Sequence, residues 1–186
     1  MAAREKESIY QLKVTLRHVK PPVWRRIQVR GDVTLYKLHQ TLQIAMGWTD
    51  SHMHQFVVDG VFFGQPDPDF DFDVESERRT RLHDVVSGVK DKFSYEYDFG
   101  DGWEHEILVE DILQPEPRTR YPRCIKGKRN CPPEDIGGPW GYADFLEAIE
   151  NEDHPEHEEY LEWIGGSFDP EAFDLEAVND YLKEVR

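Results

Sequence analysis

With 186 residues, 38 acidic side chains against 22 lysines and arginines, and a net charge of −16, the chain is long enough to bury one ordinary core without disulfides or structural metals. Two cysteines form no disulfide framework, Met1–Ser8 is charged and polar rather than an apolar leader, and no apolar run approaches the ~20 residues of a membrane span. The expectation is a single cytoplasmic α+β domain over residues 1–186, with no membrane association. The charge is unevenly placed: from Glu134 onward 17 acids meet only Lys183 and Arg186, whereas Met1–Pro133 carries 21 acids and 20 bases. That balance disfavours nonspecific nucleic-acid binding, unless basic residues such as Arg25, Arg26 and the acid-free stretch from Arg118 to Arg129 gather on one face.

Tyr10, Leu12, Val14 and Leu16 alternate with Gln11, Lys13 and Thr15, the period-two pattern of a half-buried strand, and Pro21-Pro22 ends it. Trp24–Val29 reads as a second strand. Gly31-Asp32 then leads into an amphipathic helix, with Asp32 or Thr34 as N-cap, Leu35, Leu38, Leu42, Ala45 and Met46 as its apolar stripe, and Gly47 as its stop. His52–Val58 and Val61–Phe63 flank Asp59-Gly60, a two-residue type I′ turn signal. Gln65–Arg81 reads as a polar surface loop and Leu82–Val86 as a short turn or helix. A hairpin over Lys92–Ile112 and a proline-containing basic loop follow. The remainder is helical: Tyr142–Ile149, His157–Ile164, and Leu175–Val185 with Leu175, Val178, Tyr181, Leu182 and Val185 as its buried stripe.

The hairpin is the most informative segment. Phe93, Tyr95, Tyr97 and Phe99 share one face of its first strand, and Trp103, His105, Ile107 and Val109 one face of its second. Placing Phe99 opposite Trp103 keeps both sets on one core, through a three-residue Gly100-Asp101-Gly102 loop. The alternative Asp101-Gly102 turn sets aromatics against acids and forfeits roughly 1.5–3 kcal/mol for each aromatic left exposed. The chosen register opposes Asp98 to Glu104 and Glu96 to Glu106 on the reverse face. Three things could offset that repulsion: solvent with neighbouring cations such as Arg25 and Arg26, a basic partner surface, or a hard cation such as Mg²⁺ or Ca²⁺. His105 falls on the core face, where a hydrogen bond to a carbonyl or to Tyr97 is its expected role.

His52 and His54 stand at a spacing that fits a metal pair or an ordinary strand. Cys124-x6-Cys131 lacks zinc-knuckle spacing, so reduced buried thiols are expected. No phosphate loop, nucleophile elbow or His-Glu-x-x-His helix is present, and no catalytic residue, metal site or cofactor is assigned. Cys131-Pro132-Pro133-Glu134-Asp135 through Tyr142 reads as a rigid, structural entry to a helix.

Pro22-x-Trp24-Arg25-Arg26, Gly47-Trp48 with His52-x-His54-x-Phe56, Tyr97-Asp98-Phe99-Gly100-Asp101-x-Trp103-x-His105, Cys131-Pro132-Pro133-Glu134-Asp135-x-Gly137-Gly138 with Gly141-Tyr142, and Phe168-Asp169-Pro170-Glu171 occur in this order. Together they resemble the Ri-plasmid open-reading-frame-three-like family, also described as a passenger TnpR-type protein of an insertion element. The resemblance implies a stand-alone α+β fold with a β-grasp-like start, extended into a mainly antiparallel sheet with helices beside it. It implies no reaction. Relatives carry a further cysteine where this chain has Ile136, which argues against a cysteine-based metal site. The expected role is a non-enzymatic binding or adaptor module linked to mobile elements, with an unidentified protein partner recognised by Asp98, Asp101, Trp103 and His105, and with Arg25 and Arg26. The alternatives are a metal-dependent hydrolase or nuclease using Asp98, Asp101 and His105 with His52 or His54, and nucleic-acid binding through the basic segments.

Overall fold

The computed structural model describes residues 7–66 and 73–185. Its frame is an eight-stranded sheet of β1 (Ile9–Leu16), β2 (Trp24–Arg30), β3 (His54–Val58), β4 (Val61–Gly64), β5 (Val74–Ser76), β6 (Lys92–Tyr97), β7 (Trp103–Leu113) and β8 (Arg123–Lys128), in the spatial order β5-β4-β3-β6-β7-β1-β2-β8. Among the described residues five helices accompany it: α1 (Leu35–Met46), α2 (Leu82–Val85), α3 (Gly138–Glu150), α4 (His157–Ile164) and α5 (Leu175–Leu182). All neighbouring strands are antiparallel except β4 and β5. The α+β class and the strand–strand–helix opening are as the sequence reads.

Local signals account for most boundaries. Thr34 caps α1 by accepting the Lys37 N–H, and Gly47 ends it at φ 112°, a conformation glycine reaches without a Cβ penalty. Asp59 and Gly60 both have positive φ, as a type I′ turn requires, so Val58 pairs with Val61. Two strands form where the sequence suggested loops. β5 is three residues long and pairs parallel to β4, too short for an alternating pattern to register. β8 lies inside the basic stretch because its partner β2 supplies the register, from Trp24↔Lys128 to Gln28↔Arg123. The middle of the expected Gln65–Arg81 loop, residues 67–72, falls outside the described residues.

One hydrophobic cluster runs through the sheet and α1, from Tyr10, Leu12 and Val14 to Leu38, Leu42, Phe56, Tyr95 and Trp103. Each such side chain contributes about 1.5–3 kcal/mol by leaving water. In α5 the buried stripe is narrower than predicted. Leu182 is buried and Val178 and Val185 pack on the core, but Leu175 and Tyr181 are exposed because this short helix touches β8 and α1 along one side. Asn179 of α5 also closes part of the β8 edge, donating to the Cys124 carbonyl and accepting the Cys124 N–H.

Arg25 is the least expected core residue. It lies on the buried face of β2 with Ile27 and Val29 and is 1% exposed. Its Nε donates to the Ala45 carbonyl at 2.7 Å, in the last turn of α1, and its Nη1 to the carbonyls of Trp24 and Lys128. The guanidinium stacks on Phe173 at 4.2 Å. Burial lowers its pKa, yet the carbonyls, the ring and the negative end of the α1 dipole all favour the cation. Arg25 thus ties α1 to β2 and β8 and does not serve the acidic face of the hairpin. Arg25→Met keeps the aliphatic stem but removes the charged donors. It should cost about 1.5–3 kcal/mol, read as a lower urea midpoint at unchanged m-value.

Candidate functional site

α1, the segment between it and β3, β3 itself and the residues just after β5 bring histidines and acids to one cleft of about 740 Å³, walled by His39, Asp50, His52, His54, Glu77 and Arg78 among others. Its inner wall is a closed ring of hydrogen bonds. The Asp50 N–H donates to Gln43 Oε1, which turns the Gln43 amide so that Nε2 donates to the Tyr95 hydroxyl. Tyr95 then gives its own proton to His39 Nδ1, and His39 Nε2–H donates to Asp50 Oδ1 at 2.9 Å. Both His39 nitrogens are committed. Burial, with His54 beside it, pushes the His39 pKa down to about 3, so the ring is neutral. His54 stacks on it with centroids 3.4 Å apart and planes 2° from parallel, and bonds Glu77 at 2.8 Å through Nε2.

A second cluster sits where three separate segments meet. The β6–β7 pairing ends at Tyr97↔Trp103, so the connection is Asp98–Gly102 and not the predicted three-residue loop. The predicted pairing of Phe99 with Trp103 therefore does not form. Asp98 leaves the strand at φ 57°, its N–H bonds the Met53 carbonyl, and its carbonyl accepts the Gly102 N–H. Phe99 is turned outward and is 46% exposed. Asp98 Oδ1 accepts the amides of Gly100 and Asp101, while Oδ2 lies 3.6 Å from His52 Nε2. Asp135 Oδ1 and Glu134 Oε2 lie 3.1 and 3.9 Å from the same nitrogen.

The segment carrying Glu134 and Asp135 is pinned on three sides. Trp48 Nε1 donates to the Pro132 carbonyl. Thr49 donates to Glu134 Oε1 through both its N–H and its hydroxyl, and Tyr97 through its hydroxyl. Asp101 Oδ2 accepts the Gly137 N–H, and a Cβ on Gly138, itself at φ 69°, would stand 2.2 Å from the Asp101 carbonyl oxygen. Burial also pushes the Tyr97 hydroxyl pKa up, so it stays a donor to Glu134.

The residues expected to form a recognition surface are dispersed. Trp103 and His105 are fully buried, with His105 Nδ1 donating to the Tyr95 carbonyl, so neither meets a partner. Asp98 and Asp101 do belong to the site. Arg25 is in the core, and Arg26 forms a bidentate pair with Glu110. The acidic face of the hairpin is offset by other groups: Gln55 on Glu96, Arg17 and His18 on Glu104, and Lys92 on Glu106. In this register Glu96 opposes Glu104, and Ser94 opposes Glu106. Cys124 and Cys131 are free, buried thiols.

Sequence reasoning missed His39, Asp50 and Glu77, and read Glu134 and Asp135 as structural only. His39 had a signal: it stands four residues after Leu35 and three before Leu42, on the edge of the α1 stripe.

The model of the plasmid pRiA4b ORF-3-like family matches residues 8–177. The chain belongs to that family. The chain is similar to protein y4hQ of Sinorhizobium fredii, described as uncharacterized, at 44% identity over 180 residues, covering 96% of this chain and 92% of the relative. The crystal structure of MM3350 from Methanosarcina mazei Go1, a protein of unknown function, is similar at a TM-score of 0.83 and 36% identity, over 91% of this chain and 96% of that one. The fold is thus shared with that methanogen protein.

His39 and His105, the latter held near 4 chiefly by burial, stay neutral in the fold but take a proton on unfolding below about pH 6.5. Their stabilisation is complete above that value and is lost as pH falls toward about 4 and then about 3. Each adds a slope of at most about 1.4 kcal/mol per pH unit. Urea midpoints should therefore fall steadily from pH 7 to pH 4.5, and His105→Gln should make the profile shallower. A flat wild-type profile contradicts this.

Proposed function

We propose that the protein is a binding module, linked to mobile genetic elements, that takes a cationic ligand at the cluster of His52 with Asp98, Glu134 and Asp135 beside the cleft. The observation that carries this reading is charge balance. Asp98, Glu134 and Asp135 converge on His52 within 3.9 Å, and among the described residues none of the three is ion-paired to a lysine or arginine. Carboxylates so close repel one another unless a cation joins them. Binding is favoured over acid–base catalysis because both His39 nitrogens are already bonded and His105 is sealed in the core. The plasmid origin in the family's description supports the link to mobile elements.

Metal-assisted hydrolysis is the second reading, favoured by the 71% exposure of the Asp135 side chain, which leaves room for water on that side. Nucleic-acid binding gains less support. Arg26 is paired with Glu110, Arg123 with Glu116, Arg129 with Glu171, and Arg120 with the Lys183 carbonyl.

A thermal-unfolding panel of Zn²⁺, Mn²⁺, Mg²⁺, Ca²⁺ and short aliphatic diamines tests the cation reading. At a concentration of about 100 Kd, a true ligand should raise Tm by about 5–10 °C. No shift with any cation, together with no uptake in equilibrium dialysis, contradicts it.

A further inference from the structure

We infer that a first-row divalent transition-metal ion binds between His52 Nε2, Asp98 Oδ2 and Asp135 Oδ1, with Glu134 Oε2 as a fourth donor. This rests on the cation reading and narrows it to one ion class and one of two candidate clusters. The first three donors lie within 4.8 Å of one another. Ligands about 2.1 Å from a metal stand about 3.0–3.4 Å apart along the edges of an octahedral or tetrahedral shell. The 3.1, 3.6 and 3.9 Å separations from His52 Nε2 need only a small contraction to reach that spacing.

The unpartnered His52 nitrogen is the second observation. Its Nε2 is shut off from solvent and makes no hydrogen bond, although Asp135 Oδ1 is only 3.1 Å away. A cation seated between this nitrogen and the three carboxylate oxygens within 3.9 Å of it would satisfy all four at once. Two of the carboxylates are prepared for it. Asp98 spends Oδ1 on two backbone amides while Oδ2 faces His52, and Glu134 is held through Oε1 by Thr49 and through both oxygens by the Tyr97 hydroxyl, with Oε2 also facing His52.

The neighbouring group of His39, Asp50 and His54 also has short donor separations but does not suit a metal. Both His39 nitrogens are bonded, and two rings stacked 2° from parallel send their in-plane lone pairs side by side rather than to one point. One imidazole with carboxylates selects Zn²⁺, Mn²⁺, Fe²⁺ or Co²⁺ over Mg²⁺ and Ca²⁺, which prefer all-oxygen shells.

The test is calorimetric titration of the full chain, freed of metal by chelator and dialysis, with Zn²⁺ and Mn²⁺. One ion per chain is expected. Asp98→Asn keeps the oxygen that accepts the loop amides, and Asp135→Asn changes an exposed residue in a backbone conformation asparagine tolerates. Each should weaken binding at least tenfold, while His54→Gln leaves it within about threefold. As a readout free of any variant, Mn²⁺ should broaden the His52 ring resonances of the wild-type protein before those of His83 or His154. Metal binding that survives both Asn variants, or that is lost only in His54→Gln, overturns the site and leaves the cation reading standing. Diamine binding without metal binding does the same, and binding of neither overturns both.

Discussion

The hydrogen bond from the Asp98 amide to the Met53 carbonyl, 2.8 Å long, sets the geometry of the site. It prolongs the contact between the β6 and β3 chains just past the end of β6, where Asp98 has already turned to positive φ. Because the chain turns there, β7 begins opposite Tyr97, and the connection has five residues in place of three. The same turn swings Phe99 out and brings the Asp98 carboxylate in against His52. A hairpin closed two residues later would have buried Phe99 and sent Asp98 to the solvent face.

That turn is held from behind by aromatic packing. Trp48 lies against Tyr97, Trp103 and His105, with ring centroids 4.9, 5.9 and 5.2 Å away. Its indole N–H reaches the Pro132 carbonyl, so the residue that follows the glycine stop of α1 also fixes the segment bearing Glu134 and Asp135. In front, Gly138 lets that segment approach the Asp101 backbone more closely than any side chain allows, and the Gly137 N–H bonds the Asp101 carboxylate. The Asp98 and Glu134 carboxylates are therefore oriented by their own hydrogen bonds before a ligand arrives.

The sequence was legible where one pattern acted alone. Alternation over Ile9–Leu16, the stripe and glycine stop of α1, and the Asp59-Gly60 turn all predict what forms, because each is decided within a few residues. It misled where a distant partner decided. The β6–β7 register follows alternation in its parity, since Tyr97 and Trp103 both face the core, but a two-residue shift preserves parity and only the Asp98 turn selects between the registers. β8 and Arg25 depend on β2, α1 and Phe173 together, so an arginine in a basic stretch gave no sign that it would be buried. Of the site, the histidines at 52 and 54 and the acids at 98 and 101 drew notice. Their division between two clusters, and the arrival of Glu77, Glu134 and Asp135, are tertiary facts with no local signature.

The central claim is that His52, Asp98 and Asp135 form one cation centre distinct from the stacked histidines beside it. Anomalous diffraction at the zinc edge, from crystals grown with Zn²⁺, tests it most directly. The account predicts a peak about 2.1 Å from His52 Nε2, with Asp98 Oδ2, Asp135 Oδ1 and Glu134 Oε2 as its other contacts. A peak at His39 and His54, or none at either cluster, would contradict it.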